Sequence, residues 1–94
     1  MKTVSATIRP KRKERILTQS AGGTVVLLTM DDGRYYALDG VGGRIWELCD
    51  GSRTVSEIAA ILSNEYDATA ETVDHDLREL LTDLANENLV GENT

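Results

Sequence analysis

The pattern of apolar positions divides the chain into a strand-forming half and a helix-forming half. Thr24-Val25-Val26-Leu27-Leu28-Thr29-Met30 is rich in β-branched residues and apolar on both faces, which predicts a central strand. Turn signals flank it, Ala21-Gly22-Gly23 before and Asp31-Asp32-Gly33 after. Arg15 to Gln19 and Arg34 to Leu38 therefore read as neighbouring strands of an antiparallel meander, the latter at an edge. Beyond Leu38 the period changes. Asp39 is placed to cap a helix from about Val41, with Val41, Ile45, Leu48 and Cys49 on one face, Trp46 beside it and Gly51 as its stop. Thr54-Val55-Ser56-Glu57 is a capping box opening a second helix, whose stripe is Ile58, Ala59, Ile61, Leu62 and Tyr66. Thr69 caps a third helix with the stripe Val73, Leu77, Leu80, Leu81 and Leu84, running to about Asn88. Met1 to about Lys13 shows no sustained period, and Pro10 interrupts it, so it is expected to be irregular. The expectation is an α+β fold, a three-stranded antiparallel meander followed by three helices in the manner of a winged helix-turn-helix. Residues 14–90 form its single domain, behind a basic, partly mobile arm at 1–13.

Charge sharpens this picture. The net charge of −6 conceals a division: residues 1–15 hold six Lys/Arg against one Glu, while residues 16–94 hold four Arg against fifteen acids. An acidic body repels phosphate backbones, and the third helix carries Glu71, Asp74, Asp76, Glu79, Asp83 and Glu87 against Arg78 alone. That is the wrong sign for a helix entering a DNA groove, so a regulatory nucleic-acid-binding domain working through the basic arm is the disfavoured alternative. No apolar run is long enough to span a bilayer, and no signal peptide precedes the body, so a cytoplasmic location without membrane attachment is expected.

Catalytic chemistry has little to work with. His75 lies between Asp74 and Asp76 with no nucleophile nearby in sequence, and Cys49 sits on an apolar helical face. One cysteine and one histidine do not make a structural zinc site, so no metal or cofactor is expected. Gly40-Val41-Gly42-Gly43 follows a strand and opens a helix but lacks the spacing of a phosphate-binding loop. What remains is an edge. Arg34, Tyr35, Tyr36, Ala37 and Leu38 would leave backbone groups free to accept an added peptide strand, and the third helix could wall the resulting groove. At about 100° per residue, Val73, Asp76, Leu80 and Asp83 share one edge of that helix, with Leu77 and Leu84 nearer the core centre.

Three spaced segments carry a family resemblance: Tyr36-Ala37-Leu38-Asp39-Gly40-Val41-Gly42-Gly43-Arg44-Ile45-Trp46-Glu47-Leu48, then Asp50-Gly51-Ser52-Arg53-Thr54-Val55-Ser56-Glu57-Ile58, then Tyr66-Asp67 and Asp76-Leu77 with Leu80, Leu81 and Leu84. Over about residues 24–90 the chain resembles the PqqD-like family, departing from its usual pattern in Asp39 for Asn and Leu77 for Val. The resemblance implies a recognition element for ribosomally made (RiPP) precursor peptides, not an enzyme. Its partners would be a precursor leader peptide, added as a strand beside the third strand and against the third helix, and a processing protease or other maturation enzyme. With the leader paired to Arg34, Tyr35, Tyr36, Ala37 and Leu38, the helical spacing assigns Leu80 and Val73 to apolar contact and Asp76 to a polar one, and Leu77, Asp83 and Leu84 complete the peptide-binding candidates. A lasso-peptide pathway is favoured over the alternative, a chaperone for the pyrroloquinoline quinone precursor.

Overall fold

Alternation along the central strand sets the sheet. In the computed structural model, which describes residues 4–92, Val25 and Leu27 point into the core while Leu28 points away. That strand, β3 (Thr24–Thr29), pairs antiparallel with β2 (Ile16–Ala21) on one side and β4 (Tyr35–Leu38) on the other. The order β2-β3-β4 makes β4 an edge, as its position in the meander predicts. The register brings Leu17, Leu28 and Tyr35 into one cross-strand row on the outer face. Strand β3 is central, as its composition predicts, and it is buried on one face only.

Three helices follow, each started by the residue its sequence offers. The Asp39 carboxylate accepts from Gly42 N at 3.1 Å to open α1 (Gly40–Leu48). At α2 (Val55–Tyr66) both halves of the capping box form, Glu57 N donating to Thr54 Oγ1 at 3.1 Å and Thr54 N to Glu57 Oε1 at 3.0 Å. Thr69 Oγ1 accepts from Thr72 N at the start of α3 (Ala70–Asn86). Each such cap contributes about 1 kcal/mol. The α+β architecture of a three-stranded meander and three helices is therefore realised, and no helix among the described residues is long and apolar enough to cross a membrane.

Between sheet and helices lie Leu27, Ile45, Trp46, Ile58, Leu62, Leu77 and Leu81, all buried. The Trp46 indole satisfies its N–H by donating to Thr18 Oγ1 at 3.1 Å. Helix α1 lies so close to β3 that a Cβ on Gly43 would stand 2.6 Å from Val25 Cγ2. Two residues expected in the helical stripes are not core: Val41 and Tyr66 are each 42% exposed.

The N-terminal segment departs most from its expected irregularity. Its first three residues lie outside the described part of the chain. From Val4 onward, however, it runs across the helices as a strap ending in a three-residue strand, β1 (Pro10–Arg12), antiparallel to β5 (Val90–Glu92) after α3. Val4 and Pro10 are buried. Ile8 O and Ala6 O accept from Val55 N at 3.0 Å and Ser56 N at 3.1 Å, satisfying donors of the first turn of α2 that no helix can satisfy internally. Arg78 donates to Val4 O from α3. At the other end of the strap, Arg12 Nη1 donates to Trp46 O at 2.9 Å and Glu47 O at 2.8 Å, placing a cation on the last carbonyls of α1. Proline is tolerated because it is the first residue of its strand.

Two substitutions test this packing. Arg12→Ala removes both bonds to the end of α1 and is expected to lower unfolding free energy by about 2 kcal/mol, whereas exposed Lys11→Ala should cost less than about 0.5 kcal/mol. Urea titration of the two variants checks the contrast, which equal costs would contradict. Gly43→Ala forces a methyl into Val25 and is expected to cost about 1–3 kcal/mol in the same assay.

Candidate functional site

The open side of β4 follows from the ladder. In antiparallel pairs the residues alternate between bonding across the ladder and facing away from it. Thr29 N donates to Arg34 O at 2.8 Å, so Arg34, Tyr36 and Leu38 bond to β3. The N–H and C=O of Tyr35 and Ala37 consequently face the open edge. The same alternation sends the Tyr36 and Leu38 side chains toward the helices and leaves Tyr35 73% exposed on the outer face.

Across from this edge runs α3. A cleft of about 460 Å³ lies between the two, with Ala37 and Leu38 on the strand wall, Asp76 and Leu80 on the helix wall, and Val41 and Ile45 of α1 beneath. A narrower hollow of about 100 Å³ adjoins it, sharing Val41, Ile45 and Asp76 and reaching Tyr66, Val73 and Leu77. The walls are mostly apolar, with Asp39 at the start of α1 and Asp76 on the helix wall as the charged residues and Thr72 in the narrower hollow. Among the described residues the Asp76 side chain makes no hydrogen bond or ion pair, so its exposed carboxylate is available to a ligand donor. Val41 and Tyr66 owe their exposure to this cleft: helical periodicity marks an apolar face but does not distinguish a core from a hollow.

The candidate residues thus separate. Ala37, Leu38, Val73, Asp76, Leu77 and Leu80 are brought together around the two connected hollows. Leu77 is 0% and Leu84 4% exposed; Leu77 supports the hollow from beneath, and Leu84 lines neither, both being core residues. Their burial agrees with their expected place nearer the core centre. Asp83 borders a separate outer depression with His75, Arg78 and Glu79. Arg34 and Tyr36 lie at the far end of the strand, where they meet Glu87, a residue that edge and stripe patterns do not single out. The Tyr36 hydroxyl donates to Glu87 Oε2 at 2.7 Å, and Arg34 Nη1 donates to the same oxygen at 3.0 Å. That hydrogen bond to the carboxylate holds the tyrosine hydroxyl above its usual pKa. Glu87 lies eleven residues beyond Asp76 and seven beyond Leu80. At about 100° per residue these positions share one helical edge, which is the signal that could have found it.

The other nucleophile candidate lies elsewhere. Cys49 is fully buried, and burial pushes its thiol up to about 12. Iodoacetamide at pH 8 is expected to leave Cys49 unmodified in the native chain and to alkylate it once urea unfolds the protein. Mass spectrometry reads the outcome; native-state alkylation at the unfolded rate would contradict it.

Comparison with known proteins bears on the family and the fold. The family model described as "Coenzyme PQQ synthesis protein D (PqqD)" matches residues 24–90. Among solved structures, "TbiB1 in Complex with the TbiA(beta) Leader Peptide" is 36% identical, with 85% of this chain and 93% of that chain covered and a TM-score of 0.78. The PqqD truncation of Methylobacterium extorquens PqqCD, described as a stand-alone RiPP recognition element, is 27% identical over 96% of both chains, with a TM-score of 0.79. A lasso peptide synthetase B1 complexed with its leader peptide has a TM-score of 0.79 over 88% of this chain and 98% of that one. At 19% identity it bears on the fold alone. No match is found among curated proteins.

Proposed function

The chain belongs to the PqqD family, and on that premise we propose that it binds the leader segment of a ribosomally synthesised precursor peptide by strand addition and presents it to a processing enzyme. The observation that carries this reading is the meeting of an unpaired strand edge with an apolar helix wall. Tyr35 and Ala37 offer backbone donors and acceptors, and Leu38, Val41 and Leu80 offer apolar surface within one cleft. Main-chain bonds of this kind supply affinity irrespective of sequence, while the hollows beside them select side chains. Asp76 gives the apolar wall one polar contact. The chain is a carrier in this reading: it works in the cytoplasm and leaves the chemistry to its partner, whether protease or other maturation enzyme. The recognition unit takes in the strap from Val4 as well as residues 14–90, because the strap completes the first turn of α2.

A lasso-peptide precursor is the favoured cargo on the segment Val41-Gly42-Gly43-Arg44-Ile45-Trp46, which leans toward lasso-type proteins; the 36%-identical TbiB1 structure, a leader-peptide complex, supports leader binding itself. The quinone-precursor reading is supported by the family description and the 27%-identical PqqD domain. Binding preference separates them. Fluorescein-labelled synthetic peptides from the N-terminal segments of short reading frames neighbouring the gene, with the TbiA(beta) leader as reference, are titrated into the purified chain. One peptide is expected to bind with 1:1 stoichiometry and emerge with its mass unchanged. No saturable binding, or cleavage by the chain alone, would overturn the reading.

Leu80 provides the sharper test because it is only half-buried. Leu80→Asp is expected to keep the circular dichroism of the wild type and to weaken peptide binding by about 2 kcal/mol or more, roughly thirtyfold. Leu77→Asp, at a fully buried position, should instead unfold the chain. A folded Leu80→Asp protein that binds as tightly as wild type would contradict this assignment of the groove.

A further inference from the structure

We propose that Glu87 is a positioning residue for leader binding, holding the strand wall and the helix wall of the cleft at their working separation; the inference rests on the function proposed above. Three side chains from two distant parts of the chain converge here. Tyr36 comes from β4, Arg34 from the turn before it, and Glu87 is the cap residue after α3. A single carboxylate oxygen, Glu87 Oε2, accepts from both Tyr36 and Arg34. Among the described residues these are the only hydrogen bonds between the β4 segment and the end of α3.

Each partner is itself held. Arg34 Nε donates to Asp32 Oδ2 at 2.6 Å, and its guanidinium lies 5.7 Å from the centre of the Tyr36 ring. Glu87 sits at a turn fixed by Glu87 N to Asp83 O at 3.0 Å and Leu89 N to Leu84 O at 2.8 Å, with Asn88 left-handed at φ 61°. The carboxylate is thereby aimed from a hydrogen-bonded corner at a strand paired to β3. Beneath the cleft α1 lies between the walls through Val41 and Ile45, so the spacing is set by packing at the floor and by Glu87 beyond the far end of the strand.

The energetics favour a role in binding over one in folding. Arg34 and Glu87 are each about half exposed, and ion pairs of that kind contribute little to stability. A peptide seated between walls already at the correct separation does not bear the cost of ordering them, and such preorganisation appears chiefly as slower dissociation.

Dissociation of the tightest-binding labelled leader peptide is followed by stopped-flow fluorescence for wild type, Tyr36→Phe, Glu87→Ala, Glu87→Gln and the Tyr36→Phe/Glu87→Ala double variant. Glu87→Ala is expected to melt close to wild type and to release the peptide about five- to tenfold faster, with association changed less than about twofold. Tyr36→Phe should show a similar acceleration, and the double variant no more than the larger single effect, because both remove the same bond. Glu87→Gln keeps an amide oxygen for the tyrosine hydroxyl and should recover most of the loss. Unchanged release from Glu87→Ala, or effects of the two substitutions that simply add, overturns the inference while leaving leader binding intact. Should Glu87→Ala fail to fold, Tyr36→Phe against wild type reads the same bond, and unchanged release overturns the inference equally. Absence of leader binding by the wild type overturns the proposed function and this inference with it.

Discussion

Helix α1 crosses the central strand at a glycine, and the site depends on that approach. With no side chain at position 43, the helix backbone rests on Val25, bringing Ile45 and Trp46 deep between the sheet and the other two helices. Asp39 alone separates β4 from α1, so the same approach anchors Leu38 at the end of the edge strand. The start of α1 then occupies the space between β4 and α3 and becomes the floor of the cleft. A larger residue at 43 would push the floor outward and disturb the edge and the helix wall together.

On this scaffold, recognition requires no chemistry beyond hydrogen bonding and apolar contact. The strand edge offers two residues' worth of unpaired backbone, and the facing helix offers an apolar edge with a single carboxylate, Asp76. Charge is consistent with that division of labour. Arg34, Arg44, Arg53 and Arg78 of the acidic body are each paired with a carboxylate, and Arg9, Lys11 and Arg12 belong to the strap, with Arg12 committed to the end of α1.

Much of the fold was legible because local signals agreed with one another. Asp39, Thr54 and Thr69 each cap the helix their spacing announces, and the two glycine turns define the meander. The β1 and β5 pairing was illegible for a physical reason: each strand is three residues long and gains its stability from partners about eighty positions away. Val41 and Tyr66 were misread because an apolar stripe looks the same whether it faces a core or a hollow. Glu87 was passed over because a charged residue at a helix end defaults to solvent, and only the fold brings Tyr36 beneath its carboxylate. The edge strand and the Leu80 side of α3 were visible from period and position, whereas their convergence on α1 needed the third dimension.

Amide hydrogen exchange, read residue by residue by NMR with and without saturating leader peptide, tests strand addition most directly. In the free chain the Tyr36 and Leu38 amides should be protected by their pairing with β3, and the Tyr35 and Ala37 amides should exchange freely. On leader binding the account predicts that Tyr35 and Ala37 slow by about tenfold or more while Tyr36 and Leu38 change little. A saturated complex in which Tyr35 and Ala37 still exchange as fast as in the free chain would contradict it.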